Sequence, residues 1–159
     1  MSQNIHLQKL LAKIAIKRFI DNFAKVLNGH SITHLELSQS SGKPDNAFNK
    51  TVNEAEDPRL STFLRYWISL EDILKTKGKE FDVDFNQLID GDTRKIIHIL
   101  KDAHHADLNE IVKAHSQFLL GLKIYFDLLS RKNVLTTSEV EIYHHILKMI
   151  HEQEDPYIE

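Results

Sequence analysis

Ile32-Thr33-His34-Leu35-Glu36-Leu37-Ser38-Gln39-Ser40-Ser41-Gly42 runs directly into Lys43-Pro44-Asp45-Asn46-Ala47-Phe48-Asn49-Lys50-Thr51-Val52-Asn53, and the fold turns on this stretch. Thr33 stands just before the apolar positions, where a side-chain oxygen can accept from a free backbone N–H. The pattern predicts a helix from there to about Ser40. Gly42 tolerates left-handed backbone and so permits a sharp reversal. Pro44 suits the first turn of a second helix, because its missing N–H has no helical partner there. That helix is predicted to run to about Ala55. Leu37 and Ser38 are apolar or small, as close packing of two short helices requires. Phe48 is the inward anchor of the second helix. Asp45, Asn46, Asn49 and Lys50 form its outward face, short and polar enough to reach into a groove. Two short helices joined by a tight glycine-containing turn have the layout of a helix-turn-helix.

Working outward, Leu7, Leu10, Leu11, Ile14, Phe19, Ile20, Phe23 and Leu27 recur at spacings of three and four, which predicts an amphipathic helix stopped at Asn28-Gly29. Beyond the central stretch, Asp57-Pro58 reads as a turn and Arg59 to Lys77 as one long helix. Lys77 to Asp92 is a connecting stretch with a short helix near Phe85, Leu88 and Ile89. Asp92 or Thr93 can cap a helix through about Ala103. The longest pattern starts at Asp107 and continues through Leu108, Ile111, Val112, His115, Phe118, Leu119, Leu122, Tyr125, Phe126 and Leu129. Thr136 with Glu139 three residues later has capping-box spacing, and the last helix is expected to reach about Glu152. No stretch alternates strictly with a period of two. The expected fold class is all-α, with a helix-turn-helix bundle over residues 1–78 and a C-terminal helical region over 93–159.

The segment from about residue 15 to 77 resembles the Cro/repressor-type, Xre-like helix-turn-helix regulators of bacteria and phages. Features of that family appear here as Ile32-Thr33, Leu37-Ser38, Ser41-Gly42, Phe48, Asn53-Glu54, Asp57-Pro58 and Leu60-Ser61-Thr62-Phe63-Leu64, without a gap from Ile32 to Leu64. Glu54 replaces the family's usual glycine, and Thr51 stands where an aliphatic core residue is common. The resemblance implies that Thr33 and His34 lie at the phosphate-contacting start of the first motif helix. It also implies that Asp45, Asn46, Asn49 and Lys50 face the major groove, with Lys43 in support. Asn can pair bidentately with adenine, Lys can reach guanine, and Asp can accept from cytosine.

Composition narrows the remaining possibilities. The chain has 159 residues, no cysteine and a formal net charge of -3, so disulfides and thiolate chemistry are excluded. The mean charge opposes nucleic-acid binding, yet residues 1–53 carry seven Lys and Arg against three Asp and Glu. Phosphate-loop glycines and nucleophile signatures are absent, so neither an enzyme nor a cofactor is expected. The ten histidines include the adjacent pairs His104-His105 and His144-His145. Neighbours on a helix point about 100° apart, and no two histidines lie four apart within one predicted helix, so no metal site is expected. No apolar run approaches membrane-spanning length and no signal peptide is evident, so the expected location is the cytoplasm.

The apolar surface of the C-terminal half is wide, and Phe118, Leu122, Tyr125, Phe126, Leu129, Ile142 and Leu147 are expected to form a homodimer interface. The function expected on these grounds is a transcriptional regulator, a repressor in type, that binds operator DNA as a homodimer. The alternative from another class is a protein-binding module with a helix-turn-helix fold, such as an anti-CRISPR protein or an antirepressor of phage or plasmid origin. The two differ in whether double-stranded DNA or a protein is the partner.

Overall fold

In the computed structural model, the backbone is described from Ser2 to Glu154 and the side chains from Asn4 onward. These residues form α1 (Ser2–Gly29), α2 (His34–Ser40), α3 (Ala47–Asn53), α4 (Leu60–Thr76), a 3-10 turn (Phe85–Gln87), α5 (Gly91–Asp102), α6 (Leu108–Gly121), α7 (Lys123–Arg131) and α8 (Thr137–Glu154). No strand occurs among the described residues, so the chain is all-α as its periodicity predicts.

The chain divides into two compact units, Ile16–Thr93 on one side and Met1–Ala15 with Arg94–Glu159 on the other. The expected boundaries, 1–78 and 93–159, differ from this division at both ends. The first half of α1 packs with the C-terminal segment. There the Asn4 amide donates to the carbonyls of Ala103 at 3.0 Å and Ala106 at 2.7 Å, and Gln8 donates to Ala103 at 3.1 Å. Lys13 donates to Val134 O at 2.9 Å and pairs with the fully buried Glu139 carboxylate at 2.6 Å. Residues 79–93 in turn belong with the first unit, because Val83 and Leu88 lie in its core and Asn22 donates to Leu88 O at 2.9 Å. Local patterning sees none of these partners, which lie far apart in sequence.

In the Ile16–Thr93 unit the core is built from Phe23, Leu27, Ile32, Leu37, Phe48, Phe63, Tyr66, Leu70, Leu74, Val83 and Leu88. Each helix presents one apolar stripe to it, and burial of such side chains contributes roughly 1.5–3 kcal/mol apiece. α2 begins where its residues predict. Thr33 accepts from the Glu36 N–H at 3.0 Å, and the Glu36 carboxylate accepts from the Thr33 N–H at 3.2 Å. Gly42 takes φ +68°, the left-handed backbone that the reversal needs. α3 is shorter than expected. It starts at Ala47 rather than Pro44, because Pro44 belongs to the turn, where its carbonyl accepts from the Ala47 N–H at 2.9 Å. α5 is capped by Asp90 and not by Asp92 or Thr93, since Asp90 Oδ1 accepts from the Thr93 N–H at 2.8 Å. Burial works against the Asp90 charge, but the Thr93 amide and hydroxyl and the Arg18 guanidinium outweigh it and hold this carboxyl down at about 2.

In the second unit the long expected helix from Asp107 to Leu129 is broken. α6 ends at Gly121, Leu122 forms a cap, and α7 restarts at Lys123, with a non-helical residue at His115 (φ -129°, ψ 22°) inside α6. Apolar spacing continues across Gly121 and hides the break. α8 begins with the expected capping box, in which Glu139 accepts from the Thr136 N–H and Thr136 accepts from the Glu139 N–H. The residues expected to form a homodimer interface are largely interior. Leu122, Phe126, Leu129 and Ile142 are buried within their own chain, while Phe118, Tyr125 and Leu147 are half-buried. Phe126 stacks on Tyr143 at 4.2 Å between ring centroids, and the Tyr143 hydroxyl donates to Leu119 O at 2.6 Å. The breadth of that apolar surface thus serves intrachain packing among α6, α7 and α8, with Leu122, Phe126, Leu129 and Ile142 interior to it.

Candidate nucleic-acid interface

α3 has only seven residues and would not persist alone, so its surroundings must hold it. Asn46 at its N-cap makes no side-chain capping bond. The fully buried hydroxyl of Ser38 on α2 takes that role, accepting from the Phe48 N–H at 3.0 Å. At the other end the ammonium of Lys17 on α1 donates to Val52 O at 2.7 Å and pairs with Asp21 at 2.7 Å. A cation on the last carbonyls also complements the helix dipole. Between the two ends, Phe48 is buried among the rings of Phe23, His34 and Tyr66, with centroids 5.6, 5.0 and 5.1 Å away. Thr51, at the position where an aliphatic residue is common in the family it resembles, is buried with its hydroxyl satisfied. It donates to Ala47 O at 3.1 Å and lies 3.2 Å from a Glu56 carboxylate oxygen.

The outward side carries most of the candidate residues together. Asp45, Asn46, Asn49 and Lys50 are exposed and Lys43 is half-buried. Asp45 accepts from Gln39 at 3.3 Å, and Asn49 Oδ1 lies 3.1 Å from His34 Nδ1. Lys43, Asn46 and Lys50 line a polar cleft of about 430 Å³ that also includes Glu56, Asp57 and Thr62. Thr33 is exposed at the start of α2, but both its hydroxyl and its N–H are engaged with Glu36. That carboxyl is held below the usual range, first by the Thr33 N–H and then by Lys77, with burial working the other way, so a fixed negative charge stands at this end of α2.

The basic character of the N-terminal third does not carry over to this unit. Lys9 and Lys13 belong to the other unit, Lys17 is buried in its own pairs, and Arg18 pairs with Asp90 and Asp92. Residues 16–93 carry ten Lys and Arg against thirteen Asp and Glu, a net -3. Spacing alone does not reveal that Ser38 and Lys17 hold the two ends of α3. A small polar residue next to Leu37 and one lysine among several on a basic amphipathic helix are the signals the sequence carries. Among the described residues no group of three or more His, Cys, Asp or Glu is arranged to hold a metal ion, and no helix is long and apolar enough to cross a membrane. No protein-family model, curated protein or solved structure matches the chain.

Proposed function

We propose that the Ile16–Thr93 unit binds double-stranded DNA and that the protein is a transcriptional regulator. In this reading α3 enters the major groove and turns Asn46, Asn49 and Lys50 toward base edges. One observation carries it. Ser38, Phe48 and Lys17 fix α3 at its start, middle and end, while its outward face is short, polar and exposed. A rigid helix with a free polar face is what direct readout of bases requires. The experiment is selection of bound sequences from a random DNA pool, followed by titration of the winner with wild-type protein and with Asn49→Ala and Lys50→Ala. Enrichment of a motif and loss of affinity in both variants support the reading.

The net -3 of the unit favours a second reading, in which the same face recognises a protein. Asp45, Glu54, Glu56 and Asp57 surround α3 as closely in sequence as Lys43 and Lys50 do. A polyanion is repelled by such a surface, whereas a basic protein partner is not. Failure to bind any DNA at low salt by a folded protein selects this second reading.

A further inference from the structure

Three aromatic rings from three separate elements meet at one apolar cavity of the Ile16–Thr93 unit. The cavity measures about 380 Å³ and is lined by Phe19 and Ile20 of α1, Leu60 and Phe63 of α4, and Phe85 of the 3-10 turn. That volume lies in the range of sites that hold small ligands, roughly 300–1,000 Å³. Phe19 and Phe63 lie 4.8 Å apart between centroids at 57°, and Phe63 and Phe85 6.3 Å apart at 51°, so the rings are tilted against one another rather than stacked. Phe85 is 47% exposed, yet it is held in place. Its ring stacks on Trp67 at 4.4 Å and 14°, and Asp84 caps its turn by accepting from the Asn86 N–H at 2.9 Å.

Among the described residues lining the cavity, Asp57 alone carries a charge. It is exposed and has no ion-pair or hydrogen-bond partner among the described residues. Arg59 is exposed as well and does not line the cavity. Aromatic walls with one uncompensated carboxylate suit a cation, because ring faces and carboxylate both attract positive charge and both disfavour an anion. We propose that this cavity binds an organic cation, an ammonium group carried on an apolar body. The body lies among Phe19, Phe63 and Phe85, and the ammonium lies beside Asp57. Asp57 and Pro58 also line the polar cleft beside α3, so the two clefts meet at this turn. The site does not depend on DNA binding and is tested without DNA.

Trp67 is the one tryptophan of the chain, and its stacking on Phe85 makes its emission a reporter of the cavity. The test is titration of the full chain with 4-phenylbutylamine, 4-phenylbutanol and 4-phenylbutyrate, with helical content followed by circular dichroism. The amine changes Trp67 emission saturably, with a Kd of about 1 mM or tighter. The alcohol binds about two- to fivefold more weakly, and the carboxylate more weakly still. Asp57→Asn removes the advantage of the amine over the alcohol. Leu60 is 72% exposed and lines this cavity but not the cleft beside α3, so Leu60→Lys stays folded and weakens the amine about fivefold or more. No saturable change in emission or melting temperature with the amine overturns the proposal. So does a carboxylate that binds as tightly as the amine, or amine binding unaffected by both variants. If Leu60→Lys unfolds, the Asp57→Asn comparison decides, and an amine advantage that survives it overturns the proposal.

Discussion

Nδ1 of His34 lies 3.1 Å from Oδ1 of Asn49, so the first residue of α2 holds a side chain on the exposed face of α3. With Nδ1–H donating, Oδ1 keeps a second lone pair and the amide keeps both N–H donors, so a base can still be met by both ends of the group. The bond therefore sets the rotamer of Asn49 before any partner arrives. Removing a good hydrogen-bonding partner of a base costs roughly 1–3 kcal/mol, and Asn49→Ala is expected to fall in that range on a selected DNA sequence. His34→Ala removes the ordering of Asn49 and also one of the three rings around Phe48, so with folding checked by circular dichroism its cost in DNA affinity is expected to be roughly 0.5–1.5 kcal/mol. Titration of the same DNA with both variants checks the order. A larger loss for His34→Ala than for Asn49→Ala would assign direct contact to the histidine instead.

Ser38→Ala and Phe48→Ala separate the two ways in which α3 is held. Ser38→Ala leaves the buried Phe48 N–H without its acceptor, which costs roughly 1–3 kcal/mol. Phe48→Ala empties a site between three rings and costs roughly 3–5 kcal/mol, enough to unfold a marginal unit. Urea unfolding followed by circular dichroism measures both. A Ser38→Ala variant as stable as wild type would show that α3 does not depend on the α2 hydroxyl.

Much of this arrangement is legible in the residues themselves. Thr33, Gly42, Leu37 and Phe48 announce α2, the turn and the inward anchor of α3, because capping, left-handed backbone and burial are local requirements. The supports from further away are not legible in this way. Ser38 reads equally well as a small packing residue, and Lys17 as one more solvated cation on a basic helix, until the Val52 carbonyl and Asp21 are found beside it. The same limit explains the C-terminal half. Phe126 and Leu129 present an apolar face whether the next layer is a second copy or α8 of the same chain, and only the fold distinguishes the two.

Acid should weaken the Ile16–Thr93 unit through Asp90. The folded-state pKa of Asp90 is about 2, below its ordinary 3.8, so the stability it lends is complete well above pH 4 and is lost as the pH falls through about 2. The side chain is 37% exposed, so after solvent screening the contribution at neutral pH is about 1 kcal/mol. Asp90→Asn should melt lower than wild type at pH 7, and the gap should close between about pH 4 and pH 2. A gap that persists unchanged at the acid end would mean that the Arg18 and Thr93 bonds do not depend on the Asp90 charge.

Binding of the full chain to a DNA sequence selected from a random pool, measured across a salt series, tests the DNA reading most directly. Each phosphate neutralised by a cation releases a counterion, and Lys43 and Lys50, contributed by each copy in the homodimer expected of such a regulator, are the cations nearest α3 in sequence. The expected log–log slope of affinity against salt is therefore about -3 to -6, and Lys50→Ala should make it shallower by about one for each phosphate that is no longer neutralised. No enriched sequence and no binding at low salt, from protein that remains folded and helical, would contradict the assignment of α3 to the major groove.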